Sequence, residues 1–198
     1  APRQSFQLAI TLLESGLLVT ATCTSCHTAH GELPPSDPRS TVHPENVAGT
    51  CGNCHHGIEQ QFRASIHAPG VGTPKGDIAL PTCKDCHSSH EISRTDRGDF
   101  RLTMMNQCGR CHEDESATFF DTYHGKVSRL GDAAAAKCSD CHGTHDILPV
   151  ANPASRLSRR NIVGTCAFVV IWMMPLRPLS PNSLAAAAPL ITSTRSMV

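Results

Sequence analysis

Aromatic side chains are scarce in this chain: one tryptophan, one tyrosine and six phenylalanines in 198 residues. Hydrophobic residues make up 39%, below the usual share of a globular domain, so the polypeptide has little with which to build a conventional core. Charge of one sign is missing too. Seventeen lysines and arginines balance seventeen aspartates and glutamates, and no basic stripe is present to neutralise phosphates, which excludes a nucleic-acid partner. There is no long apolar run near the start either. Residues Leu8 to Val19 are interrupted by Glu14 and Ser15 and are too short to span a bilayer, so no transmembrane segment is expected. Ala1 is not followed by a basic and then apolar leader, and the chain is read as mature or truncated.

Cysteine and histidine are what the chain has instead, 11 and 12 of them. Ten cysteines fall in five copies of Cys-x-x-Cys-His: Cys23/Cys26/His27, Cys51/Cys54/His55, Cys83/Cys86/His87, Cys108/Cys111/His112 and Cys138/Cys141/His142. Two thiols at this spacing reach the two vinyl groups of one porphyrin as thioethers, and the next histidine is placed beneath the iron. Structural zinc would take four thiolate or imidazole ligands, but it has no use for a histidine after every pair, and five pairs cannot be matched two by two. A disulfide framework leaves the histidine unexplained as well. The motifs therefore predict five covalently attached c haems. They span 120 residues, 24 per motif, a density at which porphyrins supply the apolar interior and the haem-free chain is expected to be largely unfolded. Haem propionates would make the whole acidic.

The motifs form a repeat. The first, third and fifth extend to Cys-x-x-Cys-His-x-x-His, adding His30, His90 and His145. Each is followed by a plain motif 25 or 28 residues later, and the last of these is broken. Asn161-Ile162-Val163-Gly164-Thr165-Cys166 matches Asn46-Val47-Ala48-Gly49-Thr50-Cys51, but Val169 and Val170 stand where a second cysteine and a histidine belong. The chain is accordingly divided into an N-terminal segment, 1–22, a pentahaem domain, 23–165, and an aberrant apolar tail, 166–198, holding an interrupted sixth site. A shifted reading frame or truncated repeat is the preferred explanation of that tail, and a genuine apolar segment is the alternative.

Five irons with two imidazoles each need ten histidines. His27, His55, His87, His112 and His142 are the proximal ligands. The repeat singles out His30, His67, His90, His124 and His145 as distal ones. Both His55–His67 and His112–His124 span 12 residues with apolar positions at helical spacing (Ile58, Phe62, Ile66; Phe119, Tyr123), which predicts helices linking different haems. Such a helix would hold its end histidines about 18 Å apart. The offset that leads from His67 to the next extended motif falls on Gln7 when projected back from Cys23, leaving the first iron short of a ligand. His43 is a candidate replacement, and His56 is expected to face solvent or a propionate. Met104 and Met105 are expected to pack rather than ligate.

With five such motifs, three carrying the extra histidine, the region from about residue 20 to 166 resembles the multihaem c-type cytochromes, including cytochrome c3-like and decahaem or nanowire-type electron carriers. That resemblance implies bis-histidine, low-spin haems in a close-packed array, wrapped by a mainly irregular chain with short α-helices and little or no sheet. It also implies an electron-transfer protein rather than an enzyme. The expected partners are redox proteins or extracellular electron acceptors, with self-assembly or a larger cytochrome complex as a further expectation. Haem attachment outside the cytoplasm implies a periplasmic or extracellular location. The alternatives are a nitrite- or hydroxylamine-type multihaem reductase with one open iron, or a subunit or fragment of a longer cytochrome conduit.

Overall fold

A computed structural model describes residues 21–173; the expectations for residues 1–20, Gln7 included, and for the tail beyond Met173 lie outside the described residues. The described chain is helical and irregular. It contains no strand, only an isolated antiparallel bridge between Lys75 and Ile78. Its helices are α1 (Cys23–His27), α2 (Val47–Gly52), α3 (His56–Arg63), α4 (Cys83–His87), α5 (Gly98–Gly109), α6 (Glu113–Asp121), α7 (Tyr123–Arg129), α8 (Cys138–His142) and α9 (Ile162–Met173). The expectation of short helices, long loops and no sheet is met.

Three of these helices are the extended motifs themselves. A five-residue helix cannot sustain itself on its own hydrogen bonds, so each is anchored at its start. The backbone N–H before the first cysteine donates to the side chain three residues on: Thr22 to Ser25 Oγ at 3.1 Å, Thr82 to Asp85 Oδ2 at 2.8 Å and Lys137 to Asp140 Oδ2 at 2.7 Å. Each also ends abruptly. Thr28 (φ 69°), Ser88 (φ 60°) and Gly143 (φ 89°) directly follow the motif histidine in left-handed backbone, with ψ near 180° in all three. That region is essentially reserved for glycine, so Thr28 and Ser88 hold strained backbone. Plain motifs behave differently: after His55 and His112 the chain runs straight into α3 and α6.

The two predicted 12-residue helices are both interrupted. Helix α3 stops at Arg63, because the next turn bonds elsewhere. Ile66 N–H and Ser65 Oγ donate to the Ile147 carbonyl at 2.8 and 3.2 Å, and Ser65 is buried at 1% exposure. The second helix breaks at Thr122, whose backbone is extended (φ −74°, ψ 165°). The Thr122 hydroxyl accepts the Gly125 N–H at 3.2 Å, capping α7. Gly125 lies so close to α6 that a β-carbon there would overlap the Phe119 carbonyl oxygen. Apolar periodicity continues through both breaks, but polar side chains with better partners end the helices.

The polypeptide has almost no core of its own. Among the described residues the buried apolar side chains are Val47, Ala48, Ala68, Met105, Ala135, Ala136 and Val169, mostly small. Met105 packs, as expected of it. Polar ties do much of the holding. Lys137, 2% exposed, donates to Ser128 Oγ at 3.0 Å and to the carbonyls of Asp132 and Ala135 at 2.8 and 2.5 Å. Arg101 on α5 reaches the Ala133 carbonyl at 3.0 Å and Asp140 Oδ2 at 2.9 Å.

The sequence repeat is also a structural one. Ser40 Oγ donates to the Leu33 carbonyl, Asn46 Nδ2 to those of Pro38 and Ser40, and Thr50 Oγ1 to that of Thr41. Displaced by 115 residues, Ser155 donates to Leu148, Asn161 to Pro153 and Ser155, and Thr165 to Arg156. The scaffold around Cys51 is thus reproduced up to Cys166.

Candidate functional site

Five helical or turn-like Cys-x-x-Cys-His segments present ten thiols, none of them in a disulfide. Their surroundings join one motif to the next. Burial and then the charge of Cys51 push the Cys26 thiol up, linking the first motif to the second. Cys51 and Cys83 share a hydrogen bond, which raises Cys51 and holds Cys83 down to about 7, so the second motif meets the third. Burial raises the Cys86 thiol, with Asp85 and then Cys111 adding to the effect, linking the third to the fourth. Cys108 and Cys138 repeat the shared hydrogen bond, Cys108 raised and Cys138 lowered to about 7. Cys141 is raised by burial and then by Cys166. The thiols form a continuous trail.

Cys54 departs from this pattern of partly buried thiols. The chain leaves Cys54 exposed, whereas Cys51 is half-buried. The reason is local. Helix α2 ends at Gly52, and Cys54 sits in the turn beyond it, its N–H donating to the Cys51 carbonyl at 3.2 Å. Packing that covers α2 therefore stops short of Cys54. Its charge acts on Cys26 only after burial, Cys51 and Cys23. Cys23, at the start of α1, is exposed as well.

The imidazoles fall into pairs that no reading of the sequence specified. His27 and His90 have ring centres 6.1 Å apart with planes 18° from parallel. His87 and His145 are 5.9 Å apart at 19°, and His67 and His112 are 6.2 Å apart at 41°. Two imidazoles bound on opposite faces of one metal, each nitrogen about 2.0–2.1 Å from it, have ring centres about 6.2–6.4 Å apart. In all three pairs one member is a motif histidine and the other is a predicted distal ligand. His67, His87, His142 and His145 all have their pKa lowered, first by burial; neighbouring histidines add to this at each, and at His145 Asp146 pushes the other way. Neutral imidazole is the form that can ligate a metal.

Phe100 lies 5.5 Å from His87, 15° from parallel. Nothing in the local sequence marks Phe100 as part of the site, since it sits on α5, in the interval between two motifs. Asp85 is another contributor missed in the sequence. Burial pushes its carboxyl up, but hydrogen bonds from Thr82 and Lys84 outweigh this and hold it below the usual carboxylate range.

Other predicted ligands are not brought to a second imidazole. His30, His43 and His124 have no imidazole partner among the described residues, and neither do the motif histidines His55 and His142. His43 Nδ1 accepts the Glu45 backbone N–H at 3.3 Å. His56 is engaged with Gln60 at 3.0 Å and Glu59 at 3.6 Å, in keeping with a surface role. His27 of the first motif faces His90, while Gln7 lies outside the described residues.

The residues fit haem c better than a bare metal. Each thiol pair has the motif spacing, and three histidine pairs stand at the separation of two axial ligands. Among the described residues no group of three or more His, Cys, Asp or Glu side chains converges on one point. An exposed Cys54 still suits a thioether, which is made at the porphyrin's edge. No family model matches the chain, and no curated protein or solved structure matches it.

Proposed function

We propose that the chain is an electron-transfer multihaem c-type cytochrome carrying five haems on its Cys-x-x-Cys-His motifs. When bound, each haem would supply a reversible one-electron iron couple. The chain's own residues do the rest. Cys23/Cys26, Cys51/Cys54, Cys83/Cys86, Cys108/Cys111 and Cys138/Cys141 anchor the five groups. His27, His55, His87, His112 and His142 would each hold the iron of the haem on their own motif, and His90, His145 and His67 would supply a second imidazole to the irons of His27, His87 and His112. Saturating an iron with two imidazoles denies it to substrate and leaves electron exchange as its chemistry.

The observation that carries this reading is the facing of a motif histidine and a later or earlier histidine across the chain: His27 with His90, His87 with His145 and His112 with His67, ring centres 5.9 to 6.2 Å apart. Each pair brings histidines from two different motif regions to the separation that two ligands of one iron would have. The reading places the protein outside the cytoplasm, among redox partner proteins or extracellular acceptors. No helix of the described residues is long and apolar enough to cross a membrane. The reductase alternative draws on His55 and His142, which lack a facing imidazole.

A pyridine haemochrome assay combined with intact mass tests the proposal. Five haem equivalents per chain with ten blocked thiols are expected. Colourless protein whose thiols titrate freely would end it.

A further inference from the structure

The three extended motifs share one cap, and its first residue differs among them. Thr22, Thr82 and Lys137 stand directly before the first cysteine, and their N–H groups donate to Ser25, Asp85 and Asp140. Neither position is charged in the first motif. Asp85 and Asp140 are alike: each accepts that N–H, and each has a cation beside it, Lys84 at 3.2 Å and Arg101 at 2.9 Å. What sets the fifth motif apart is Lys137.

Among the described residues Lys137 is the one buried side chain that carries a charge, at 2% exposure. Its ammonium donates to Ser128 Oγ and to the carbonyls of Asp132 and Ala135. All three acceptors are neutral, so the charge is solvated by the protein without being cancelled. Three acceptors also match the three hydrogens of an ammonium. Asp132 is exposed and turns its carboxylate to the N–H groups of Ala134 and Ala135, where water screens it. A buried charge is screened far less than one at the surface. Lys137 is bonded through its own carbonyl to Cys138, one of the two anchors of the fifth motif.

Positive charge beside a redox iron favours the ferrous state, which carries one positive charge fewer, and so raises the reduction potential. Resting on the haem reading above, we infer that Lys137 tunes the fifth haem, holding its potential above those of the first and third haems, where threonine takes its place. One electron reduces the fifth iron from ferric to ferrous, and the neighbouring haem or redox partner that supplies it is oxidised. Electrons shared among these three haems therefore settle at the fifth.

The test uses the full-length holoprotein. Haem stoichiometry is measured first: a value below five counts against the haem reading, whereas with five haems present the potentials judge Lys137 alone. A redox titration followed by electron paramagnetic resonance then gives the midpoints. His90→Ala and His145→Ala mark the first and third haems by turning their irons high-spin. Lys137→Met should lower one other midpoint, cutting the reduction equilibrium constant of that haem about tenfold, which is about 59 mV for one electron. Asp140→Asn keeps an oxygen for the Lys137 N–H but removes a negative charge, and should raise that same midpoint. Water admitted by a loosened fold would lower it in both variants, so opposite shifts single out charge. In the wild type this midpoint should lie above those of the first and third haems. An unmoved set of midpoints in Lys137→Met, or a wild-type value at or below that of the first or third haem, overturns the inference. Where Lys137→Met fails to fold, Asp140→Asn still identifies the fifth haem, and its wild-type rank decides.

Discussion

His87 and His145 face each other at 5.9 Å with their planes 19° apart, although 58 residues separate them in the chain. His87 immediately follows its thiols, whereas His145 lies beyond the left-handed turn at Gly143 (φ 89°). The turn lifts His145 off helix α8, which carries His142, so that His145 and not His142 faces His87.

Replacing His145 by alanine should release the iron held by His87 and no other. One additional high-spin iron per chain is expected by electron paramagnetic resonance, with the haem content unchanged. Phe100 remains beside the His87 ring, so the proximal bond is expected to survive. An unchanged spin count would show that the two rings do not share an iron.

The strained turns predict a gain from glycine. Thr28 and Ser88 hold left-handed backbone that costs about 1–3 kcal/mol for a residue with a side chain. Thr28→Gly and Ser88→Gly should each stabilise the protein by about 1 kcal/mol, part of the relief being offset by the added freedom of the unfolded chain. Gly143→Ala should destabilise by a similar amount. Denaturant titration of the three variants measures all of these, and a loss of stability in both glycine variants would refute the strain.

Lys137 is buried and satisfied by three oxygens. Lys137→Met should destabilise by about 2 kcal/mol by leaving Ser128 and two carbonyls without their donor. Burial, followed by the charge of Arg101, lowers the Lys137 pKa. Between that lowered value and the ordinary lysine value of about 10.4, the unfolded chain binds more protons than the folded one, so this group makes stability rise with pH. The difference in melting temperature between wild type and the methionine variant should therefore widen as pH climbs through that window. A constant difference would mean that the ammonium is not desolvated.

The haem-free chain, expressed where no haem is attached, should lack most of the helical signal of the holoprotein in far-UV circular dichroism. Val47, Met105 and Val169 are the largest buried apolar side chains of the described residues, and burial of so few cannot offset the entropy of ordering the chain. A native-like spectrum without haem would contradict this.

Much of the architecture was legible before any coordinates. Helices α1, α4 and α8 are the extended motifs, and the absence of strands followed from a chain organised by short anchored turns. The repeat around Cys166 was visible as matching letters, and the hydrogen bonds of Asn161 and Thr165 reproduce those of Asn46 and Thr50. Helix lengths were misjudged for a definite reason. Ile66 continues the apolar period of α3, but its N–H bonds to Ile147, a partner that only folding supplies. Tyr123 continues that of α6, but Thr122 caps a new helix. The unequal burial of Cys51 and Cys54 was hidden for a similar reason, since identical motif spacing does not say where a helix ends.

By itself the sequence determined the five Cys-x-x-Cys-His motifs, because two thiols and the histidine that follows them are near neighbours along the chain whose reach is set by bond lengths. It also determined the two-motif repeat and its break at Val169 and Val170. Tertiary structure alone decided which imidazole faces which, since His27 and His90, His87 and His145, and His67 and His112 are joined across 45 to 63 residues by the path of intervening turns and not by local preference. Ring-to-ring distance depends on where the whole chain goes, and no window of neighbouring residues contains that information.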